Sequence, residues 1–146
     1  MKCSSKSGAV AHVKGDARNP NLRGSVRFLP HRDGCLVVAQ IIGLPETRTG
    51  FFGFHIHDGE SCGGVGFAET KGHLNPTHSD HPLHAGDLPP LLYAGGNAFL
   101  SVVTDRFCVS DVIGRTVVIH NAPDDFTSQP AGNAGTKIAC GVISKM

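Results

Sequence analysis

No stretch of this sequence is apolar for long enough to cross a membrane as a helix, because the longest apolar run, Leu36–Leu44, is broken by Gln40 and Gly43. Charge of one sign is also lacking. Thirteen Lys and Arg face twelve Asp and Glu, and a formal net charge of +1 argues against bulk nucleic-acid binding while leaving room for a local basic rim that steers a small anion. Neither a nucleic-acid nor a membrane partner is therefore expected. Tryptophan is absent and tyrosine occurs once, yet 40% hydrophobic and 17% charged residues describe an ordinary globular composition. No apolar pattern of period 3.6 reaches helix length, and no repeat or linker divides the chain, so one domain over 1–146 is expected, with 1–8 flexible. The opening MKCSSKSGAV lacks the apolar core of a secretory signal. That predicts a cytoplasmic protein, or a periplasmic or extracellular one if the start is a mature or engineered N-terminus. Five cysteines are too few and too scattered for a small disulfide scaffold, and an odd count leaves at least one thiol unpaired in the monomer.

What the chain does have is short strands, nineteen glycines and histidine. Ala9–Lys14, Ser25–Leu29, Cys35–Leu44, Phe51–His57, Asn97–Thr104, Arg115–His120 and Lys137–Ile143 read as strands from their alternation, β-branched content and turn boundaries. Asp16–Arg23 reads as a turn, and Asp58–Gly96 and Asn121–Thr136 as long loops. Few helix signals and many short strands predict an all-β antiparallel sandwich or barrel. A loop of nearly forty residues in such a domain is functional or a sign of wrong assignment.

The histidines decide between these. Four of the nine, His73, His78, His81 and His84, fall within Gly72–Asp87, together with Asp80 and Asp87. Gly72, Pro76, Pro82 and Gly86 forbid one regular element there, so a bound metal is the natural means of ordering the segment. His55 and His57 alternate with Phe54 and Ile56, which puts both imidazoles on one face of a strand. His120 ends another strand. Seven histidines and a carboxylate exceed one tetrahedral zinc and point to two ions. Three imidazoles with a carboxylate suit zinc, whereas an all-imidazole set partly open to solvent suits copper(II). No Met or Cys accompanies His55, His57 and His120 as a blue-copper centre requires.

Gly53-Phe54-His55-Ile56-His57, Gly72-His73-Leu74-Asn75-Pro76, His84-Ala85-Gly86-Asp87-Leu88, Val118-Ile119-His120 and Gly132-Asn133-Ala134-Gly135 through Ala139-Cys140-Gly141-Val142-Ile143 resemble, in order and spacing, the copper/zinc superoxide dismutase family, and its bacterial branch in particular. The resemblance implies an eight-stranded antiparallel Greek-key β-barrel with long metal-binding loops, of immunoglobulin-like sandwich class. It implies copper held by His55, His57, His73 and His120, and zinc held by His73, His81, His84 and Asp87, with His73 shared. Asp124 corresponds to a carboxylate linking His55 to His81, and Cys62 and Cys140 to an intrasubunit disulfide. Cys3, Cys35 and Cys108 are then expected free, and spare thiols lean towards the cytoplasm. The implied reaction disproportionates superoxide to dioxygen and hydrogen peroxide by alternate reduction and oxidation of copper, as antioxidant defence, in a homodimer. His78, His12 and His31 have no counterpart and are expected to be solvated.

The family's anion-receiving Arg is replaced by Lys137, which keeps the charge but not the planar two-donor fork. Activity retained but lowered is the expectation. With the long last loop shortened, any further steering falls to other cations such as Lys71. Two alternatives differ in kind. A zinc hydrolase is suggested by His55-Ile56-His57-Asp58, but it would need alternating helices and a further His after Asp58. A weakly catalytic metal-binding or copper-delivery domain of the same fold would be expected to lack copper ligands.

Overall fold

The computed structural model describes residues 3–146, so the part of the expectation for 1–8 that concerns residues 1–2 lies outside the described residues. Among the described residues nine strands form: β1 (Ala9–Gly15), β2 (Arg23–His31), β3 (Gly34–Ile42), β4 (Phe51–Phe52), β5 (Phe54–His57), β6 (Leu91–Leu92), β7 (Ala98–Thr104), β8 (Thr116–His120) and β9 (Lys137–Lys145). Seven join one curled antiparallel sheet in the order β5-β8-β9-β1-β2-β3-β7, and β4 pairs with β6. The stretch 51–57, expected as one strand, is split at Gly53. Its backbone turns aside to bond Ala122 and His120, each at 2.8 Å, so β4 and β5 take different partners. Counted as one strand, 51–57 joins β8 to β6, and β6 packs beside β7, which gives an eight-membered ring. The jump from β3 past β7 and β6 to β4 is the Greek-key crossing.

Period-2 alternation places one face of each long strand inward. Ala9, Ala11 and Val13 of β1, Val26 and Phe28 of β2, and Val37, Ala39 and Ile41 of β3 share a core with Phe52, Phe54, Ile56, Val117 and Ile119. Outward-facing His12 and Lys14 of β1 are exposed. β5 and β8 differ from the other strands in being buried on both faces. Their outer face carries His55, His57 and His120 beneath the long loops, and that is where the chemistry gathers.

The loop Asp58–Gly96 is tied to the free edge of β5. Ile56 donates to Gly86 O and accepts from Leu74 N, Asp58 donates to Gly72 O and Gly59 to Thr70 O, all at 2.8–2.9 Å. An edge strand is thereby covered by loop backbone rather than left open. Gly86 is required at this contact, because a Cβ there would lie 2.2 Å from Ile56 O. The loop also contains a 3-10 turn over Val65–Thr70. A four-residue helix, α1 (Val109–Val112), was not legible in the pattern. It is too short for a periodic signal and is capped locally, with Cys108 N donating to Asp111 Oδ2 at 2.7 Å. Among the described residues no helix is long and apolar enough to cross a membrane, and the alternating helices of the hydrolase reading are missing.

Cys62 and Cys140 form a disulfide across 78 residues, joining the Asp58–Lys71 loop to β9. The expectation that Cys3 and Cys108 are free is corrected: they form a second disulfide across 105 residues, with Cα atoms 5.5 Å apart. The bridge joins Cys3 to the residue just before α1, a proximity that no local pattern encodes. Among the described residues Cys35 alone is a free cysteine; it is buried, which pushes its thiol up to about 11. Denatured, unreduced protein should therefore titrate one thiol, and three would disprove the second bridge. Cys3→Ser should lower unfolding stability by about 2–4 kcal/mol in urea under non-reducing conditions.

Candidate metal centre

Two groups of ligand atoms converge among the described residues: His55, His57, His73 and His120, and His73, His81, His84 and Asp87, each set lying within 4.8 Å. His73 belongs to both. The arrangement follows from the strands and their covering loop. β5 presents His55 and His57 on its outer face, with ring centroids 6.3 Å apart. β8, paired with β5, ends at His120. The loop bonded to the edge of β5 brings His73 and Asp87 into bridges opposite His57 and His55.

Four of the imidazoles, those of His55, His57, His81 and His120, are oriented by a partner on the outer side. His57 Nδ1 donates to Lys71 O at 2.8 Å and His120 Nδ1 to Gly135 O at 3.3 Å, so the two Nε2 lone pairs face each other at 3.2 Å. His55 Nε2 donates to Asp124 Oδ2 at 2.8 Å, and His81 Nε2 to Asp124 Oδ1 at 2.7 Å. This leaves His55 Nδ1, His73 Nε2 and His81 Nδ1 buried without a hydrogen-bond partner. His81 Nδ1 lies 3.1 Å from Asp87 Oδ2, but out of line for a hydrogen bond. Buried lone pairs that confront one another are unfavourable unless a cation lies between them. The donor set fits two ions: four imidazole nitrogens on one side, and three imidazoles with Asp87 on the other.

Electrostatics agree with that arrangement. Burial lowers the pKa of His55, holds that of His57 well below the ordinary 6.5, and takes His120 down to about 3. All three therefore stay neutral and ready to bind. Burial alone would raise the Asp124 carboxyl, but hydrogen bonds from His55, His81 and Phe126 N outweigh it and hold the group far below its usual range. Asp87 is lowered in the same way, with burial opposed chiefly by the hydrogen bond from His73. Gly132 makes room for the Asp124 contact: its φ is +72°, and a Cβ would lie 2.0 Å from Asp124 Oδ1.

Lys137 begins β9 opposite His120. Its Nζ donates to Thr70 Oγ1 at 2.7 Å and to Lys71 O at 3.0 Å, the carbonyl that also holds His57. Burial lowers its pKa. Lys71 itself is exposed. His78 and Asp80 of the His-rich loop are exposed and take no part, His12 is exposed on β1, and His31 is half-buried at the end of β2. Sequence reasoning missed Thr70, Gln129 and Arg106. Gln129 pairs with the backbone of His81, and Arg106 holds the carbonyls of Pro82 and His84. They lie in loop or turn segments outside the family motifs, and no local pattern marks them.

A family profile described as copper/zinc superoxide dismutase (SODC) matches residues 22–143. Superoxide dismutase (Cu-Zn) 2 of Aquifex aeolicus (strain VF5) is 35% identical over 135 residues, covering 82% of this chain and 78% of its own. The corresponding Cu-Zn enzyme of Legionella pneumophila is 34% identical over 128 residues, with 82% and 76% covered. That of Ramazzottius varieornatus is 36% identical over 156 residues, with 93% and 79% covered.

The neutral, buried histidines set the acid behaviour of the metal-free protein. Below pH 6.5 the unfolded chain takes up protons that the folded chain refuses, so stability should fall as pH falls. His120, at about 3, contributes a loss of about 2 kcal/mol between pH 7 and pH 5. The depressed carboxylates Asp87 and Asp124 lose their contribution only at lower pH, near and below the ordinary 3.8. A urea midpoint of metal-free protein that is unchanged or higher at pH 5 would refute this assignment.

Proposed function

The chain belongs to the copper/zinc superoxide dismutase family, an oxidoreductase family acting on superoxide, and from that premise we propose how its residues divide the work. The observation that carries the reading is the set of inward-facing imidazole nitrogens on His55, His57, His81 and His120, whose outer nitrogens are already bonded. His55, His57, His73 and His120 would hold copper. His73, His81, His84 and Asp87 would hold zinc. Copper bound there would supply the one-electron chemistry that converts superoxide to dioxygen and to hydrogen peroxide, and zinc would supply a fixed charge.

The chain's own contribution is position and proton handling. His73, held through Nδ1 on the zinc side, offers Nε2 on the copper side. That nitrogen has no competing partner, so it is the atom placed to take a proton and return it to the peroxide. Asp124 fixes the His55 and His81 rings together, so neither half can reorient alone. Lys137 supplies the cation that draws superoxide towards His57 and His120. Its tether to Thr70 and Lys71 O stands in for the rigidity of a guanidinium, with fewer donors left for the anion.

A homodimer is the assembly we propose. Phe51 and Leu92 lie directly opposite each other on β4 and β6, 40% and 57% exposed, and Phe99 of neighbouring β7 is 64% exposed. Such apolar exposure supports an interface on this side of the barrel. With two disulfides, the spare-thiol argument for the cytoplasm rests on Cys35 alone. The bridges favour an oxidising compartment, periplasmic or extracellular.

Purified protein should bind one copper and one zinc per chain and turn over superoxide; zinc alone without turnover would sink the assignment. Lys137→Arg should raise kcat/KM at low salt, and Lys137→Met should lower it about tenfold and flatten its salt dependence. A rate that ignores both substitutions removes Lys137 from the mechanism. Sedimentation should give a dimer that Leu92→Lys weakens at least tenfold, and a monomeric wild type at micromolar concentration would exclude it.

A further inference from the structure

We propose that Gln129 and Arg106 are positioning residues that hold the zinc half-site in its binding geometry before the ion arrives, an inference that rests on the two-metal reading of the centre. The backbone of His81 is held by a side chain rather than by a strand. His81 N donates to Gln129 Oε1 at 2.9 Å, and Gln129 Nε2 donates to His81 O at 2.7 Å. One primary amide thus completes both backbone groups of a zinc ligand, as a β-strand neighbour would, across 48 residues of sequence. His81 is 3% exposed, so neither group has ready recourse to solvent. The same residue's ring is held through Nε2 by Asp124 at 2.7 Å. All three anchors of His81 come from the Asn121–Thr136 loop.

The other side of the turn is held from the β7–α1 connection. Arg106 Nη1 donates to Pro82 O at 2.8 Å and His84 O at 3.1 Å. Apart from these contacts, the backbone of residues 80–85 has only local bonds: Leu83 N to Asp80 O at 2.8 Å, Asp87 N to His84 O at 3.1 Å, and His84 N to Asp87 Oδ2 at 3.0 Å, with the next long-range anchor at Gly86, which is bonded to Ile56 and Leu74. The bond from His84 N depends on Asp87, itself a ligand. Gln129 and Arg106 therefore brace both ends of the His81–His84 segment from outside, through groups that do not touch the ions. A ligand set arranged in advance loses less chain entropy when the ion binds, and partners one step removed from a metal commonly set affinity by about 10–100-fold.

The test titrates full-length metal-free protein with zinc against a chromophoric chelator, and separately with copper. Wild type should take up one zinc per chain. Gln129→Ala and Arg106→Ala should each bind zinc about tenfold or more weakly, and the double variant more weakly than either, while copper affinity changes less than threefold. Gln129→Glu is isosteric and keeps an acceptor for His81 N–H, but it sets an oxygen against His81 O. It should bind zinc at least as weakly as Gln129→Ala while retaining the far-UV spectrum of wild type. Arg106→Lys, which keeps donors for the two carbonyls, should recover most of the loss seen in Arg106→Ala. Zinc affinity within threefold of wild type in Gln129→Ala and Gln129→Glu overturns the proposal, as does an equal fall in copper and zinc affinity, which marks general destabilisation. Wild-type protein that takes up no zinc overturns the metal reading itself and this inference with it, a result visible before any variant is made.

Discussion

Asp124 is the contact on which the rest of the centre depends. One buried carboxylate accepts from His55 on the first side and His81 on the second, at 2.8 and 2.7 Å. By taking the outer N–H of each ring, it turns the inner nitrogen of each towards the space between them, so a single group sets the tautomer of a ligand in both half-sites. Its charge survives burial because it accepts two imidazole N–H groups and the amide of Phe126. The close approach in turn needs Gly132, where a side chain would collide with the carboxylate.

A loop that carries ligands must be ordered, and here ordering comes from several directions. The Asp58–Gly96 segment bonds along the open edge of β5, Cys62 is joined to Cys140, and Lys137 reaches across to Thr70 and Lys71 O. The last of these couples two tasks, since Lys71 O also orients His57. A lysine in this place is both a cation beside the site and a strut under one of its ligands. A strut made of a flexible chain with three donors differs in kind from a planar guanidinium fork. The departure at position 137 therefore touches geometry as well as charge.

The two disulfides act at different places on the barrel. Cys62–Cys140 lies beside the ligand loop, while Cys3–Cys108 closes the N-terminal segment onto α1. Covalent closure over such long stretches restricts the unfolded chain most. It reinforces a frame whose ligand-bearing strands, β5 and β8, are short and depend on loops for their outer cover.

The sequence by itself determined the β class, the seven principal strands to within a few residues, and the candidate ligands. Alternation reports which side of a strand is buried, and imidazoles at His55, His57 and His120 sit at strand positions that alternation can place. It also marked His78 as a bystander once the motifs were set beside the family. Only tertiary structure decided which nitrogen of each ring faces inward, that Gln129 and Arg106 brace the His81–His84 turn, that 51–57 breaks at Gly53, and that Cys3 meets Cys108. The division has a physical cause. Periodicity and turn chemistry are local and leave a trace in neighbouring residues, whereas these contacts are hydrogen bonds and bridges between loops tens of residues apart, whose meeting depends on how the barrel closes.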